Sequence, residues 1–243
     1  MKRFRLLILV LVFLLGLSGP ILADDHLSEI EQYGFDNYAE IFQAGDNHYS
    51  YQLQEGNFNI SYVEQVGSSN HAQSFQEGDE NIAEQTQIGT DNYAEIYFQV
   101  GNENSANQSQ DGDENNAWIE QQGESNEIIQ EQSGSFNETN VVEDGYLNLA
   151  NQSQIGSENE AVILQTGDNN QASQEQFDYV NYDWIEQIGC LNNATQFQDG
   201  DLNIAIAEQW GESNTSFQNQ IGSQNYSYIH QTGNGNFASC IQN

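Results

Sequence analysis

Gln154-Ile155-Gly156-Ser157-Glu158-Asn159-Glu160-Ala161-Val162-Ile163-Leu164-Gln165 decides the reading of this chain, because the same pattern returns every 11 residues along nearly all of it. A fixed period of this kind outranks any residue-level signal when a fold is inferred. Glycine marks the unit at Gly34, Gly45, Gly56, Gly67, Gly78, Gly89, Gly101, Gly112, Gly123, Gly134, Gly145, Gly156, Gly167, Gly189, Gly200, Gly211, Gly222 and Gly233, with Asp178 standing in once and a single 12-residue unit after Gly89.

Three places after each glycine comes asparagine: Asn37, Asn59, Asn70, Asn81, Asn92, Asn104, Asn115, Asn126, Asn137, Asn148, Asn159, Asn170, Asn181, Asn192, Asn203, Asn214, Asn225 and Asn236, with His48 in one such place. Nine places after it comes glutamine: Gln43, Gln54, Gln65, Gln76, Gln87, Gln99, Gln110, Gln121, Gln132, Gln154, Gln165, Gln176, Gln187, Gln198, Gln209, Gln220, Gln231 and Gln242, with Glu143 as the exception and Gln99 one place late. The unit reads G-x-x-N-x-A-x-I/Q-x-Q-x. Small, apolar and amide residues fall at every second position, the period of a strand with one buried face. Gly and Asn tolerate positive φ, so G-x-x-N is expected to be the turn. A helix would carry Gly and Asn throughout its interior at a prohibitive cost.

The seventh place after glycine sets the number of strands per coil. From Ile96 onward it alternates between Ile96, Ile119, Val141, Ile163, Ile185 and Ile229 on one side, with Ala207 once, and Gln108, Gln130, Gln152, Gln174, Gln196 and Gln218 on the other. Alternation at 11 is identity at 22. The sequence therefore predicts an all-β solenoid with two strands per rung, about ten rungs of 22 residues, like residues stacking about 4.8 Å apart. Before Ile96 the phase is reversed, Ile41 and Val63 sharing a sheet with Gln85 while Gln52 and Ser74 share one with Ile96. Two readings of this reversal stand side by side: drift in a tolerant repeat, or opening rungs that form a distinct, less stable cap or docking segment. Asp183 in a small inward place and Asp178 in a glycine place read either as simple drift or as local restraints on stacking.

Residues 1–23 read as a secretory signal peptide: Lys2, Arg3 and Arg5, an apolar run from Leu6 to Leu17, then Ser18-Gly19-Pro20-Ile21-Leu22-Ala23 before an acidic start at Asp24. The apolar run falls short of the roughly 20 residues that span a bilayer, so an integral membrane protein is not expected. Residues 24–33 form a degenerate first half-repeat, and 34–243 the repeat array. All three basic residues and the one proline precede Asp24, and the whole chain carries a formal charge of −34. With no cation to displace counterions, nucleic acid is excluded as a partner.

The thin interior of Ala, Ile, Asn and Gln offers little apolar burial against a backbone ordering cost of about 1–2 kcal/mol per residue. Stacked amides must supply the difference, since each can donate to one neighbour and accept from the other. The repeat starts close to Ala23 and ends in phase at Ser239-Cys240-Ile241-Gln242-Asn243, so no cap is expected and both ends would template another copy, giving a filament. Outward residues Trp118, Val162, Trp184, Ile206 and Tyr228 share the Ile-bearing sheet with Asn140 and form a candidate lateral face for fibre pairing or adhesion. Stacked acids in the turns, such as Asp79, Asp113 and Asp168, predict that acid or divalent cations hasten assembly.

The motif Q-x-G-x-x-N-x-A-x-x-x-Q, met at Gln32-Tyr33-Gly34-Phe35-Asp36-Asn37-Tyr38-Ala39 and again at Gln154 to Ala161, resembles the curlin repeat of curli fibre subunits over nearly all of residues 24–243. The resemblance implies a secreted functional amyloid of the biofilm matrix, found as extracellular fibres at the bacterial surface. It implies partners too: copies of itself, a nucleator subunit, and secretion and accessory proteins. The chain has many more repeats than the familiar major subunit, carries the full motif on both strands of each rung, and shows no long targeting segment before the first unit. A minor nucleator role stays open beside that of bulk subunit.

An enzyme is not expected. The acids repeat evenly and the loops are uniformly short, whereas catalysis needs a unique acidic pair in a cleft. No cofactor or metal site is expected, because His26, His48, His71 and His230 lack ligand spacing. No disulfide is expected between Cys190, read as a turn residue, and Cys240, read as a strand residue. The alternative is a monomeric secreted solenoid that binds an ion or a surface. The calcium-binding nonapeptide is absent, and so is the threonine array that ice binding needs.

Overall fold

The computed structural model describes residues 25–243; the signal-peptide reading, 1–23, lies outside them. Twenty strands follow one another: β1 (Leu27–Phe35), β2 (Tyr38–Asp46), β3 (Tyr49–Asn57), β4 (Ile60–Ser68), β5 (His71–Asp79), β6 (Ile82–Thr90), β7 (Tyr93–Asn102), β8 (Ser105–Asp113), β9 (Asn116–Glu124), β10 (Glu127–Ser135), β11 (Glu138–Tyr146), β12 (Leu149–Ser157), β13 (Glu160–Thr166), β14 (Gln171–Tyr179), β15 (Tyr182–Cys190), β16 (Asn193–Asp199), β17 (Ile204–Glu212), β18 (Thr215–Ile221), β19 (Tyr226–Asn234) and β20 (Phe237–Gln242). Odd strands form one ten-stranded parallel sheet and even strands the other, each strand pairing with the one a rung away. The chain is thus a two-strand-per-rung β-solenoid of ten rungs, as its 22-residue identity predicts. Among the described residues no helix is long and apolar enough to cross a membrane.

Registers join like to like. Gly123 lies beside Gly145, Ala150 beside Ala172, and Gln165 beside Gln187. The reversed phase of the early rungs is real: Val63 pairs with Gln85 in the even sheet, and Ser74 with Ile96 in the odd sheet. The 12-residue unit is absorbed as a β-bulge in β7. Tyr97 is extruded there, and Gln99 returns to the column between Gln76 and Gln121.

One expectation needs correction. Most of the glycines are not turn residues but pair in register near the strand ends, Gly167, Gly200 and Gly222 alone lying just past theirs; the glycines carry positive φ, and a second, left-handed residue stands just before the asparagine. At the junction of β9 and β10, Gly123 has φ 121° while Ser125 takes φ 56°. The reason is contact between rungs. A Cβ on Gly123 would stand 1.9 Å from the carbonyl oxygen of Gly145. Cys190 likewise closes β15 instead of sitting in a turn, and both cysteines are free.

The interior explains why Ile and Gln alternate. Ile96, Ile119, Val141, Ile163 and Ile185 of the odd sheet cluster with Ala106, Ala150, Ala172 and Ala194 of the even sheet. In the other half, the long Gln side chains of the even sheet reach across to odd-sheet backbone, as Gln130 does to the Trp118 carbonyl at 3.1 Å. Large residues therefore mostly face small ones across the thin core, Ile128 in an alanine place being an exception.

Candidate functional site

Ladders of amides run the length of the molecule, and they are its most distinctive chemistry. In the even sheet Gln87, Gln110, Gln132, Gln154 and Gln176 each donate an Nε2–H to the Oε1 of the next, at 2.8–3.1 Å. The second Nε2–H binds a carbonyl of the facing sheet: Gln132 to Asn116, 2.9 Å, and Gln154 to Glu138, 3.0 Å. These side chains are buried, so such pairing is what makes their burial tolerable. A second ladder runs through Gln54, Gln76, Gln99 and Gln121 of the odd sheet, and a third from Gln85 to Gln218 at the seventh place of the even sheet.

Each asparagine locks a turn to the rungs on either side. Asn126 donates its backbone N–H to Asn104 Oδ1 at 3.1 Å and its Nδ2–H to the Gly145 carbonyl at 2.9 Å. His48 stands in for Asn within this column. Its Nδ1 accepts the Asn70 backbone N–H at 3.3 Å and its Nε2 faces the Ala44 carbonyl at 3.1 Å. That arrangement requires the neutral Nε2–H tautomer. Burial lowers the basicity of His48, and nearby His26, stacked on it at 5.1 Å, acts in the same direction.

Every ladder has a direction. Glutamine N–H groups point towards the C-terminal rungs and carbonyls towards the N-terminal ones, so the two faces of any rung are different and mutually complementary. A buried glutamine that follows an apolar residue leaves its acceptor stranded. Gln85, at the head of its ladder, and Gln52 follow Val63 and Ile30, which donate nothing, and their Oε1 atoms have no partner.

Two carboxylates interrupt the interior. Glu143 accepts from Gln121 at 3.2 Å, but its Oε1 and the Oε1 of Gln165 beyond it are unpartnered. Burial pushes Glu143 well above the usual carboxylate range, the Gln121 hydrogen bond opposing and the Glu127 charge reinforcing the effect. Asp183 lies between Ala161 and Ala205 with both oxygens buried and unpartnered, and burial alone raises it well above its ordinary value.

The outer face of the odd sheet carries Trp118, Val162, Trp184, Ile206 and Tyr228 in one column, broken by Asn140. It is wider than one column. Tyr182, Ile204 and Tyr226 run beside it, and Ile188 and Trp210 flank it, with Tyr226 and Tyr228 at least half exposed at 59% and 50%. The even sheet carries apolar residues as well: Tyr38, Ile60 and Ile82 stack on its first rungs, beside exposed Phe58 and Ile88. Reading the fourth place after glycine in steps of 22 would have revealed both. Among the described residues no group of three His, Cys, Asp or Glu side chains could hold a metal ion. Compared with known proteins, the chain matches no family model and no curated sequence.

Proposed function

We propose that this chain is a secreted structural subunit of the curlin type that polymerises head-to-tail into extracellular fibres serving biofilm matrix and adhesion. The observation that carries the reading is the directional amide ladder. A stack whose upper face offers amide N–H groups and whose lower face offers amide carbonyls fits another copy of itself in one orientation, without a new kind of contact. Among the described residues nothing covers the outer edges of β1 and β2 or of β19 and β20, and unpaired strand edges are templates for addition. The motif resemblance to curlin repeats supports the same reading, and so do the evenly spaced acids and the uniformly short turns, which build no cleft.

The test is assembly from denaturant. Residues 24–243 diluted to micromolar concentration should form fibres after a lag, and preformed fragments should abolish the lag. A folded, soluble monomer that ignores seeds would replace the proposal with a monomeric binding solenoid. Fibres that form only when another subunit's fibres are added would point instead to an accessory role within the same assembly.

A further inference from the structure

Glu143 occupies the one place where the two ninth-place glutamine columns are broken among the described residues. Its neighbours Gln121 and Gln165 are in register with it, and intact steps of these columns span 2.7–3.2 Å. Gln121 supplies one N–H, which Glu143 Oε2 accepts. A glutamine here would then donate onward to Gln165 Oε1. A carboxylate has nothing to donate, so two acceptors, Glu143 Oε1 and Gln165 Oε1, are left together in a site without water access. One proton on Glu143 Oε1 resolves both.

We propose that Glu143 is held as the neutral acid in the folded chain, where its O–H replaces the missing amide N–H and makes the middle of the solenoid a proton-dependent joint. The surroundings favour this. The inward side chains of β9 and β13 are Ala117, Ile119 and Gln121, and Ala161, Ile163 and Gln165; those of β10 and β12 are Ile128, Gln130 and Gln132, and Ala150, Gln152 and Gln154. None of them titrates. The charged groups on these strands are all acids: Glu127, which bears on Glu143 directly, Glu131 on β10, Glu120 and Glu124 on β9, Glu138 and Asp144 on β11 itself, and Glu160 on β13. No Lys or Arg occurs after Arg5, and no histidine lies on β9 to β13. Ionisation would place an uncompensated negative charge among like charges in a dry interior.

The consequence for pH has one sign. A carboxyl raised in the folded state leaves stability fully present below its ordinary value of 4.5 and loses it as pH rises through the folded value. Across that window the folded-to-unfolded ratio falls about tenfold per pH unit for this one proton. The inference does not depend on fibre formation, since it concerns the fold of a single copy.

Two measurements test it on the full mature chain, single or assembled. In protein labelled with carbon-13 at glutamate alone, infrared spectra at pH 7 should show a protonated carboxyl band that Glu143→Gln removes; Asp183 is silent in this experiment. In urea denaturation from pH 5 to 8 in matched salt, Glu143→Gln should lose stability with rising pH by about one proton less than wild type, tenfold per unit within the window. Asp183→Ala, a second buried acid, serves as the control and should leave the labelled band in place. An absent band, or wild type and Glu143→Gln falling in parallel, would overturn the proposal.

Discussion

Replacing Gln132 tests whether buried amides hold the solenoid together. Gln132 accepts from Gln110 at 2.9 Å and donates to Gln154 at 3.1 Å and to the Asn116 carbonyl at 2.9 Å. Gln132→Ala strands an N–H of Gln110 and the Oε1 of Gln154, because Gln110 keeps only its bond to the Tyr93 carbonyl. Two buried orphans at about 1–3 kcal/mol each give a loss of about 2–6 kcal/mol before any cavity is counted. Against a usual total of about 5–15 kcal/mol, that is severe. Gln132→Met keeps the volume but not the hydrogen bonds, so it should recover only the cavity part. Gln122→Ala, at an exposed position of β9, should change stability by no more than about 0.5 kcal/mol. Urea denaturation followed by tryptophan fluorescence measures all three, since Trp118, Trp184 and Trp210 report on the odd sheet. If Gln132→Met were as stable as wild type, the ladders would be ornaments on a core held by apolar burial, and the energetic argument would fail.

Gly123→Ala should destabilise by at least about 1–3 kcal/mol, since Gly123 is held at φ 121° and the new Cβ would overlap the Gly145 carbonyl; a stable Ala variant, measured in the same denaturation series, would contradict the close rung contact. His48→Asn should match wild type at pH 8 and gain on it below about pH 6.5, by up to tenfold per unit. The sign follows from the lowered basicity of folded His48: its stability is present while the imidazole is neutral and is lost as acid protonates the unfolded chain first. Equal pH profiles for the two proteins would show that His48 does not fill an asparagine's place in the ladder.

Much of this fold could be read from the residues because the repeat repeats its errors as well as its rules. The alternation of Ile163 and Gln174 predicted two strands per rung, and the misplaced Val63 and Ser74 predicted the phase reversal that the registers show. The reading went astray where a local rule had two physical solutions. Positive φ in G-x-x-N was assigned to Gly and Asn; Gly does take it, and is needed besides for the approach of neighbouring rungs, but in place of Asn the residue before it is left-handed, even as bulky Phe136 or β-branched Val180. The complementarity of long and short side chains across the interior could not be seen in one strand's pattern, because it depends on how the sheets face each other. Glu143 was visible only as an exception to a column. Its meaning emerged from the two stranded oxygens around it.

The central claim, that copies stack rung upon rung, is tested most directly by the mass per unit length of isolated fibres. Ten rungs at about 4.8 Å place one copy in every 48 Å or so of a single filament. Scanning transmission electron microscopy should find that value, or a small whole multiple where filaments pair. One copy per 4.8 Å layer, about tenfold denser, would mean that each chain lies flat in its own layer and that the solenoid is not the unit of the fibre.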